Sequence, residues 1–283
     1  MNSLIKRYKE LGHPINPDFR PKLSIRINTL KTDKKACLDH LKKKKVQLKK
    51  IPFLYHGYWA EAPFSLVSTA EYLQGYYYIQ EAASQLPAQV LSPEKGELVL
   101  DMTASPGSKT TQLAQMMENQ GQIIALESKK PRIPKLNNNL ERLGVKNTII
   151  YHKDARYASD LKVKFDKILL DAPCSGNYTQ DPEWFKKRSI QDFKDMAKLQ
   201  KSLLRAAIQV LKPTGTLVYS TCSLEPEENE EVIEWALENL NLKLDDSNLK
   251  ASPGLTEKTS LCRRFWPDPT QGFFIAKLTF ISD

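Results

Sequence analysis

Residues 98 to 114 read LVLDMTASPGSKTTQLA: a short apolar run closed by Asp101, a loop of small residues, then helix formers. The run predicts a buried strand, and Ser105-Pro106-Gly107-Ser108 predicts a tight turn into a helix over 109–118. Outward from this unit the same alternation continues. Strands are expected at 98–102, 122–126, 147–151, 167–170, 216–220 and 272–280, with further helices at 132–143, 192–211 and 227–239. A helical stretch over 79–91 leads into the first strand. Strands separated by helices form a mostly parallel sheet buried on both faces, so the expected fold is α/β, a doubly wound, Rossmann-like sheet.

The segment before this core differs in character. Residues 23–30 alternate apolar with polar, 34–45 carry helix formers, 46–51 alternate again, and another strand is expected before Pro63. This βαβ-like pattern makes residues 1–75 a small basic α/β module and leaves 76–283 as the core. Lys42, Lys43, Lys44 and Lys45 concentrate charge in the module, and the whole chain carries 42 Lys+Arg against 33 Asp+Glu, a formal net charge of +9. Such a balance attracts polyanions such as nucleic acid, although a solvated helix face also accounts for a lysine run. With 41% hydrophobic and 27% charged residues the chain has the composition of a soluble, well-cored protein. No stretch matches a membrane span, and the first seven residues lack an apolar signal core. A cytoplasmic monomer is expected.

In an open parallel sheet, ligands bind beyond the carboxyl ends of the strands. Those ends here are Asp101 with the loop Met102 to Lys109, then Glu127, Asp154, Asp171 with Ala172-Pro173-Cys174, and Ser220-Thr221-Cys222. A helix cap explains any one of these acids, but four successive ends share the pattern. The loop is neither of the common glycine-rich phosphate fingerprints. Followed by Glu127, it fits a nucleoside whose ribose hydroxyls donate to that carboxylate, with Asp154 near the adenine amine. S-adenosylmethionine carries a ribose and an adenine without phosphate.

Two of four cysteines end strands. Cys37, Cys174, Cys222 and Cys262 show no CxxC pair and no metal-ligand spacing with His, so neither zinc nor a disulfide is expected. A buried thiol is commonly a small hydrophobe. The matched positions of Cys174 and Cys222, beside Pro173 and Ser223, favour a shared chemical role instead. A thiolate is activated by a nearby cation, for which Lys109 is available. C5 of a pyrimidine accepts a methyl only after a nucleophile adds at C6, and the adduct must afterwards lose its C5 proton. One thiol suits the addition and a second the release, with Asp171 available to bind cytosine at N3 and its amine. Residue type alone does not say which thiol is which.

In the loop Asp101 to Thr110, in Asp171-Ala172-Pro173-Cys174-Ser175-Gly176, and in Ser220-Thr221-Cys222-Ser223 with Glu227-Glu228-Asn229-Glu230, the chain resembles the Sun/Fmu-type RNA cytosine-5 methyltransferases. Tyr76 to Glu81, Arg263 to Pro267 and Gly272 to Ala276 resemble family segments as well. The resemblance implies a class I methyltransferase sheet and S-adenosylmethionine as cofactor. It makes Cys222 the nucleophile and Cys174 the aid to release, with Asp171 supporting the base; Lys109, as the available cation, completes the expected catalytic set. Cofactor contacts would come from Thr103, Ala104, Ser105, Pro106, Gly107, Ser108, Lys109, Glu127, Asp154 and Asp171. The family commonly has Cys where Thr103 stands, Ala at Ser105 and a second Gly at Ser108, small changes that preserve a tight turn. With no length left for the extra RNA-binding domains of larger members, the chain resembles compact archaeal members acting on tRNA, and Lys42 to Lys45 are the expected RNA contacts. DNA cytosine-5 methylation, in which the position resembling Cys174 supplies the nucleophile, and an inactive RNA-binding scaffold are the rival readings.

Overall fold

The computed structural model describes residues 3–281; Met1, Asn2, Ser282 and Asp283, the outermost residues of the two expected segments, lie outside the described residues. Thirteen strands and nine α-helices are assigned among them. The first helix, α1 (Ser3–Glu10), precedes a four-stranded sheet made of β1 (Ser24–Ile27), β2 (Gln47–Lys50), β3 (Gly57–Glu61) and β4 (Tyr77–Ile79). Its order is β2-β3-β1-β4 and its pairings are antiparallel. The expected strand–helix–strand unit is present, with α2 (Lys34–Lys43) joining β1 to β2, but β3 inserts between the two strands. The fourth strand falls on the core side of residue 75.

All of β1 is buried, where alternation had predicted one wet face. The reason is Arg26, whose guanidinium donates to Gln80 Oε1, Gln115 Oε1, Thr111 Oγ1 (2.8 Å) and Ser108 O (3.3 Å). The polar face of the module's central strand is packed on the core helix that follows the small-residue loop. Burial without a carboxylate partner lowers the Arg26 guanidinium to about 9.

After α3 (Ala70–Leu73) the expected helix over 79–91 is replaced by β4, a 3₁₀ turn at Ala83–Gln85 and the short α4 (Leu86–Leu91). Pro87 lacks a backbone N–H and so sits in the first turn of the helix, which therefore starts beside it. The large sheet contains β5 (Leu98–Asp101), β6 (Gln122–Glu127), β7 (Thr148–His152), β8 (Phe165–Asp171), β9 (Leu211–Thr221), β10 (Leu242–Asp245), β11 (Ser252–Pro253), β12 (Arg263–Phe265) and β13 (Phe273–Phe280). Along the order β7-β6-β5-β8-β9 neighbours are parallel, and β13 closes that edge antiparallel to β9. This is the doubly wound, mostly parallel sheet expected. The short β10, β11 and β12 were not legible as strands, because edge segments of two to four residues carry little periodicity.

Helices cover both faces, and strand alternation decides which residue faces which. Val99, Ile123, Leu169, Val218 and Ile275 pack with α4 and α5 (Ser108–Met116), whereas Leu100, Ile124, Ile168, Leu170 and Leu217 pack beneath the long helix over 190–210 and the helix over 230–239. Between β6 and β7, α6 (Ile133–Leu143) seats Leu136 and Leu140 on Ala104 and Ala125. α7 (Trp184–Lys187) precedes α8 (Ile190–Val210), and α9 (Glu230–Asn239) follows a 3₁₀ turn at Pro226–Glu228. The first helix packs on the core: Leu4 and Tyr8 join Tyr178, Trp184, Phe193 and Leu224 in one buried cluster.

Candidate active site

The carboxyl ends of β5, β6, β8 and β9 open on one cavity of about 560 Å³. Thr103, Ser105, Glu127, Asp154, Asp171, Cys174 and Cys222 all line it, joined by Lys129, Arg132, Arg156, Met196, Leu199 and Leu203. A larger hollow of about 690 Å³ lies where β8 and β9 begin, lined by Lys164, Leu211, Lys243 and Phe280, and contains none of these groups.

The small-residue loop is held by a bond within its own backbone and by the ends of β6 and β8. Ala104 N donates to Leu126 O (2.9 Å), Gly107 N to Ala104 O (2.7 Å), and Thr103 Oγ1 to Asp171 O (2.8 Å). Gly107 caps α5 at φ +101°, a left-handed conformation that glycine adopts without strain, and a Cβ there would meet Leu136 at 3.0 Å. Asp101 lies beneath the loop, accepting from Thr110 Oγ1 (2.7 Å) and Thr103 N (3.3 Å), and complete burial raises its carboxyl to about 6. Ala104, Pro106, Gly107 and Ser108 shape the loop without lining the cavity.

Glu127, 3% exposed, accepts from Lys129 N (2.7 Å) and faces Arg132 at 3.4 Å. Asp154 caps the following turn and is clasped by the Arg156 guanidinium at 2.6 to 3.1 Å, which holds its carboxyl below the usual range. Asp171 receives Ser220 Oγ (2.8 Å) on one oxygen and Lys109 Nζ (2.6 Å) on the other. Lys109 also donates to Ser84 Oγ (2.9 Å) and lies 5.6 Å from the Phe273 ring centre, so its ammonium is shared among Asp171, Ser84 and that ring.

Cys174 and Cys222 stand with Sγ atoms 3.1 Å apart, both free and partly exposed. The hydrogen bond with Cys222 and burial push the Cys174 thiol well up. Cys37 and Cys262 are buried in apolar clusters and do not line the cavity. Lys42, Lys43, Lys44 and Lys45 are exposed on the module and do not line the cavity; Lys44 Nζ pairs with Glu71 at 2.6 Å. Among the described residues no group of three or more His, Cys, Asp or Glu is placed to hold a metal, and no helix is long and apolar enough to cross a membrane.

Sequence reading missed the groups that hold the thiol loops. Glu228, fully buried, accepts from the serine after each cysteine, Ser175 and Ser223, and Asn177 Nδ2 donates to Cys222 O (2.6 Å). The repeated Cys-Ser dipeptide, at 174–175 and 222–223, was the available signal.

Residues 88–279 match the family described as 16S rRNA methyltransferase RsmB/F, and residues 8–82 match the N-terminal domain of 16S rRNA methyltransferase RsmF. Ribosomal RNA small subunit methyltransferase F of Salmonella agona is 42% identical over 275 residues, covering 92% of this chain and 57% of that protein. The Shewanella loihica counterpart is 40% identical over 280 residues, covering 92% and 56%. The chain thus spans little more than half the length of these relatives. A methyltransferase homolog protein from Pyrococcus horikoshii superposes with a TM-score of 0.87 at 39% identity over 99% of this chain and all of that one. NSun6 from the same organism, solved with SFG, gives 0.90 at 29% identity over 100% of this chain and 99% of that one. The large sheet is that of the class I, Rossmann-like methyltransferases.

Proposed function

The chain belongs to the RsmB/F family of RNA methyltransferases, and on that premise we propose that it transfers a methyl group from S-adenosylmethionine to C5 of cytosine in RNA through a covalent Cys222–C6 adduct. The observation that carries this reading is the convergence of Asp171, Cys174 and Cys222 on the wall of the cavity that also presents Glu127.

The residues fit the cofactor. The cavity is of small-molecule size, and Glu127 is an acceptor-only group suited to a pair of ribose hydroxyls. Asp154, shared with Arg156, would border the adenine, and the loop from Thr103 to Lys109 would pass beneath the rest. When bound, S-adenosylmethionine supplies an electrophilic methyl.

Cys222 forms the bond to C6, which places the ring's electrons on C5. Cys222 attacks as the thiolate, its proton having left to solvent, with the Cys174 sulfur 3.1 Å away. Asp171, fixed by Lys109 and Ser220, accepts from the cytosine amine and from N3 as that nitrogen takes up a proton. Once C5 is methylated, Cys174, its own proton released to solvent, removes the C5 proton as a thiolate. The C5–H electrons restore the C5–C6 double bond and the C6–S electrons return to Cys222. The two roles follow the family resemblance.

Among RNAs, the relatives' names favour small-subunit rRNA over the tRNA expected from the sequence. Incubation with methyl-labelled cofactor and separate pools of small-subunit rRNA, tRNA and duplex DNA, followed by mass spectrometry of the nucleosides, tests the reading. Labelled 5-methylcytidine in an RNA pool is the expected product. Label in DNA, or only in other nucleosides, defeats it.

A further inference from the structure

Glu228 is a fully buried acid in the turn between β9 and α9, and four donors converge on its carboxylate. Oε1 accepts from Ser175 Oγ and from Ser223 Oγ (2.8 Å); Oε2 accepts from Ser175 N (2.9 Å) and Gln200 Nε2 (3.0 Å). A carboxylate has about four lone-pair sites, so all are engaged. The same Gln200 amide reaches Pro173 O (2.9 Å), on the other side of Cys174. Around Cys222, Tyr219 Oη donates to Glu228 O (2.6 Å), while Asn229 accepts from Thr221 Oγ1 (2.6 Å) and donates to Ser223 O (3.0 Å). The neighbours of both cysteines are thereby tied to one two-residue unit.

Asn177 Nδ2 also joins the two loops at Cys222 O (2.6 Å), but the two serines do not hold each other. Ser175 Oγ and Ser223 Oγ lie 3.4 Å apart, too long for a strong hydroxyl bond. A buried acid is also a costly way to fill space, since an apolar side chain avoids the desolvation. Its presence calls for a reason that geometry supplies.

We propose that Glu228 is the positioning residue of the thiol pair, its one carboxylate setting the distance and orientation between Cys174 and Cys222 so that the releasing thiol stands beside the adduct. The proposal deepens the reaction proposed above and rests on it for the thiols' purpose, but the placement itself is measurable without methylation. Glutamine at 228 can turn its oxygen toward Ser175 N–H and Gln200 and its amide toward the two serine hydroxyls, which are able to accept. Position then survives the loss of charge. Alanine leaves all four donors unanswered.

Diamide reports the separation. Its N=N bond takes up the two hydrogens and two electrons that Cys174 and Cys222 give up as they bridge, and the linked peptides are read by mass spectrometry. Glu228→Ala should bridge about tenfold more slowly or worse, since misplacement near 1 Å costs up to about 100-fold, and should lower kcat with little change in cofactor KM. Glu228→Gln should stay within about threefold of wild type, a rescue that a charge-dependent role would not show. If Glu228→Ala does not fold, as melting and cofactor calorimetry will reveal, Ser175→Ala/Ser223→Ala removes both donors to Oε1 and should slow bridging by several-fold. Wild-type bridging rates in a folded Glu228→Ala, or in the double serine variant where alanine fails to fold, overturn the proposal. Slow bridging with undiminished methylation would support the placement and defeat the two-thiol reaction instead.

Discussion

The two ends of the cavity are built by different means. At the Glu127 end each acid is fixed by chain close to it in sequence: Glu127 by the amide two residues on, and Asp154 by the amide and guanidinium of Arg156, also two residues on. At the thiol end the ties span 45 to 53 residues, from Asn177 to Cys222 and from Ser175 to Glu228. Beyond them, Tyr8 of α1 reaches across 217 residues to Glu225, and Arg7 across 220 to Glu227. A locally made site tolerates change in the rest of the fold. A site made by distant contacts transmits such change to its chemistry.

The largest effect that can sharpen this contrast is at the thiols. Cys222→Ala should abolish methylation with no covalent RNA complex, while Cys174→Ala, supplied with cofactor and RNA, should accumulate a complex that survives denaturing electrophoresis. The double replacement should trap nothing. Wild type should trap RNA only when 5-fluorocytosine, which has no C5 proton to remove, stands at the target. Trapping by Cys222→Ala and not by Cys174→Ala would reverse the two roles.

Next comes the brace between α1 and the loop after Cys222. Glu225 is buried beside Tyr8, Arg7 at 3.6 Å, Glu227 and Glu228, and desolvation raises its carboxyl to about 7 from an ordinary 4.5. Between those values the native state holds a proton that the unfolded chain has released, so this group makes stability fall as pH rises and reaches its full cost above about 7. Glu225→Gln keeps an acceptor for Tyr8 and should remove that dependence. Relative to wild type it should gain stability with pH across the window, by up to about 3 kcal/mol. Denaturant melts at the two ends of the window check this, and a constant difference would show that the brace does not titrate.

At the other end the expected losses are smaller. Glu127→Ala should weaken cofactor binding about 10- to 100-fold, the range for hydrogen bonds to a charged group, and leave the diamide rate of the thiol pair unchanged. Asp154→Ala should lose less, because its carboxylate already belongs to Arg156. Calorimetry measures both; an equal loss at the two positions, or a changed bridging rate, would break the distinction between the ends.

The same distinction explains what the sequence disclosed. Strand-loop-helix units are local, so the order of β5 to β9, the loop at Thr103 and the acids at strand ends were legible from periodicity and residue type. Arg26 was not, because alternation marks a polar face as wet and says nothing of a second layer that buries it. Neither was Glu228, which reads as one acid among several in Glu225 to Glu231 until the fold brings Ser175 to it. Cys174 and Cys222 lie between: their matched positions were visible, while their 3.1 Å separation required the β8–β9 register that sets Asp171 against Ser220.

The smallest effect concerns a region bound to neither end. Lys42, Lys43 and Lys45 are exposed, and no ion pair engages them among the described residues, whereas Lys44 is held by Glu71. A lysine contributes to the salt dependence of RNA binding by displacing a counterion from a phosphate, and one already neutralised by a carboxylate contributes less. Replacing Lys42, Lys43 and Lys45 one at a time with Met should therefore reduce the slope of log affinity against log salt by about 0.7 each for single-stranded RNA, while Lys44→Met should change it least. Because these positions do not line the cavity, cofactor affinity and the rate of Cys174–Cys222 bridging should hold at wild-type values. An unaltered salt slope in the Lys42, Lys43 and Lys45 variants would remove the module's lysine run from the RNA contact. A shift in cofactor affinity from any of them would instead mean that the module reaches the cavity through Arg26, and that the local end is less independent than its short hydrogen-bond spans imply.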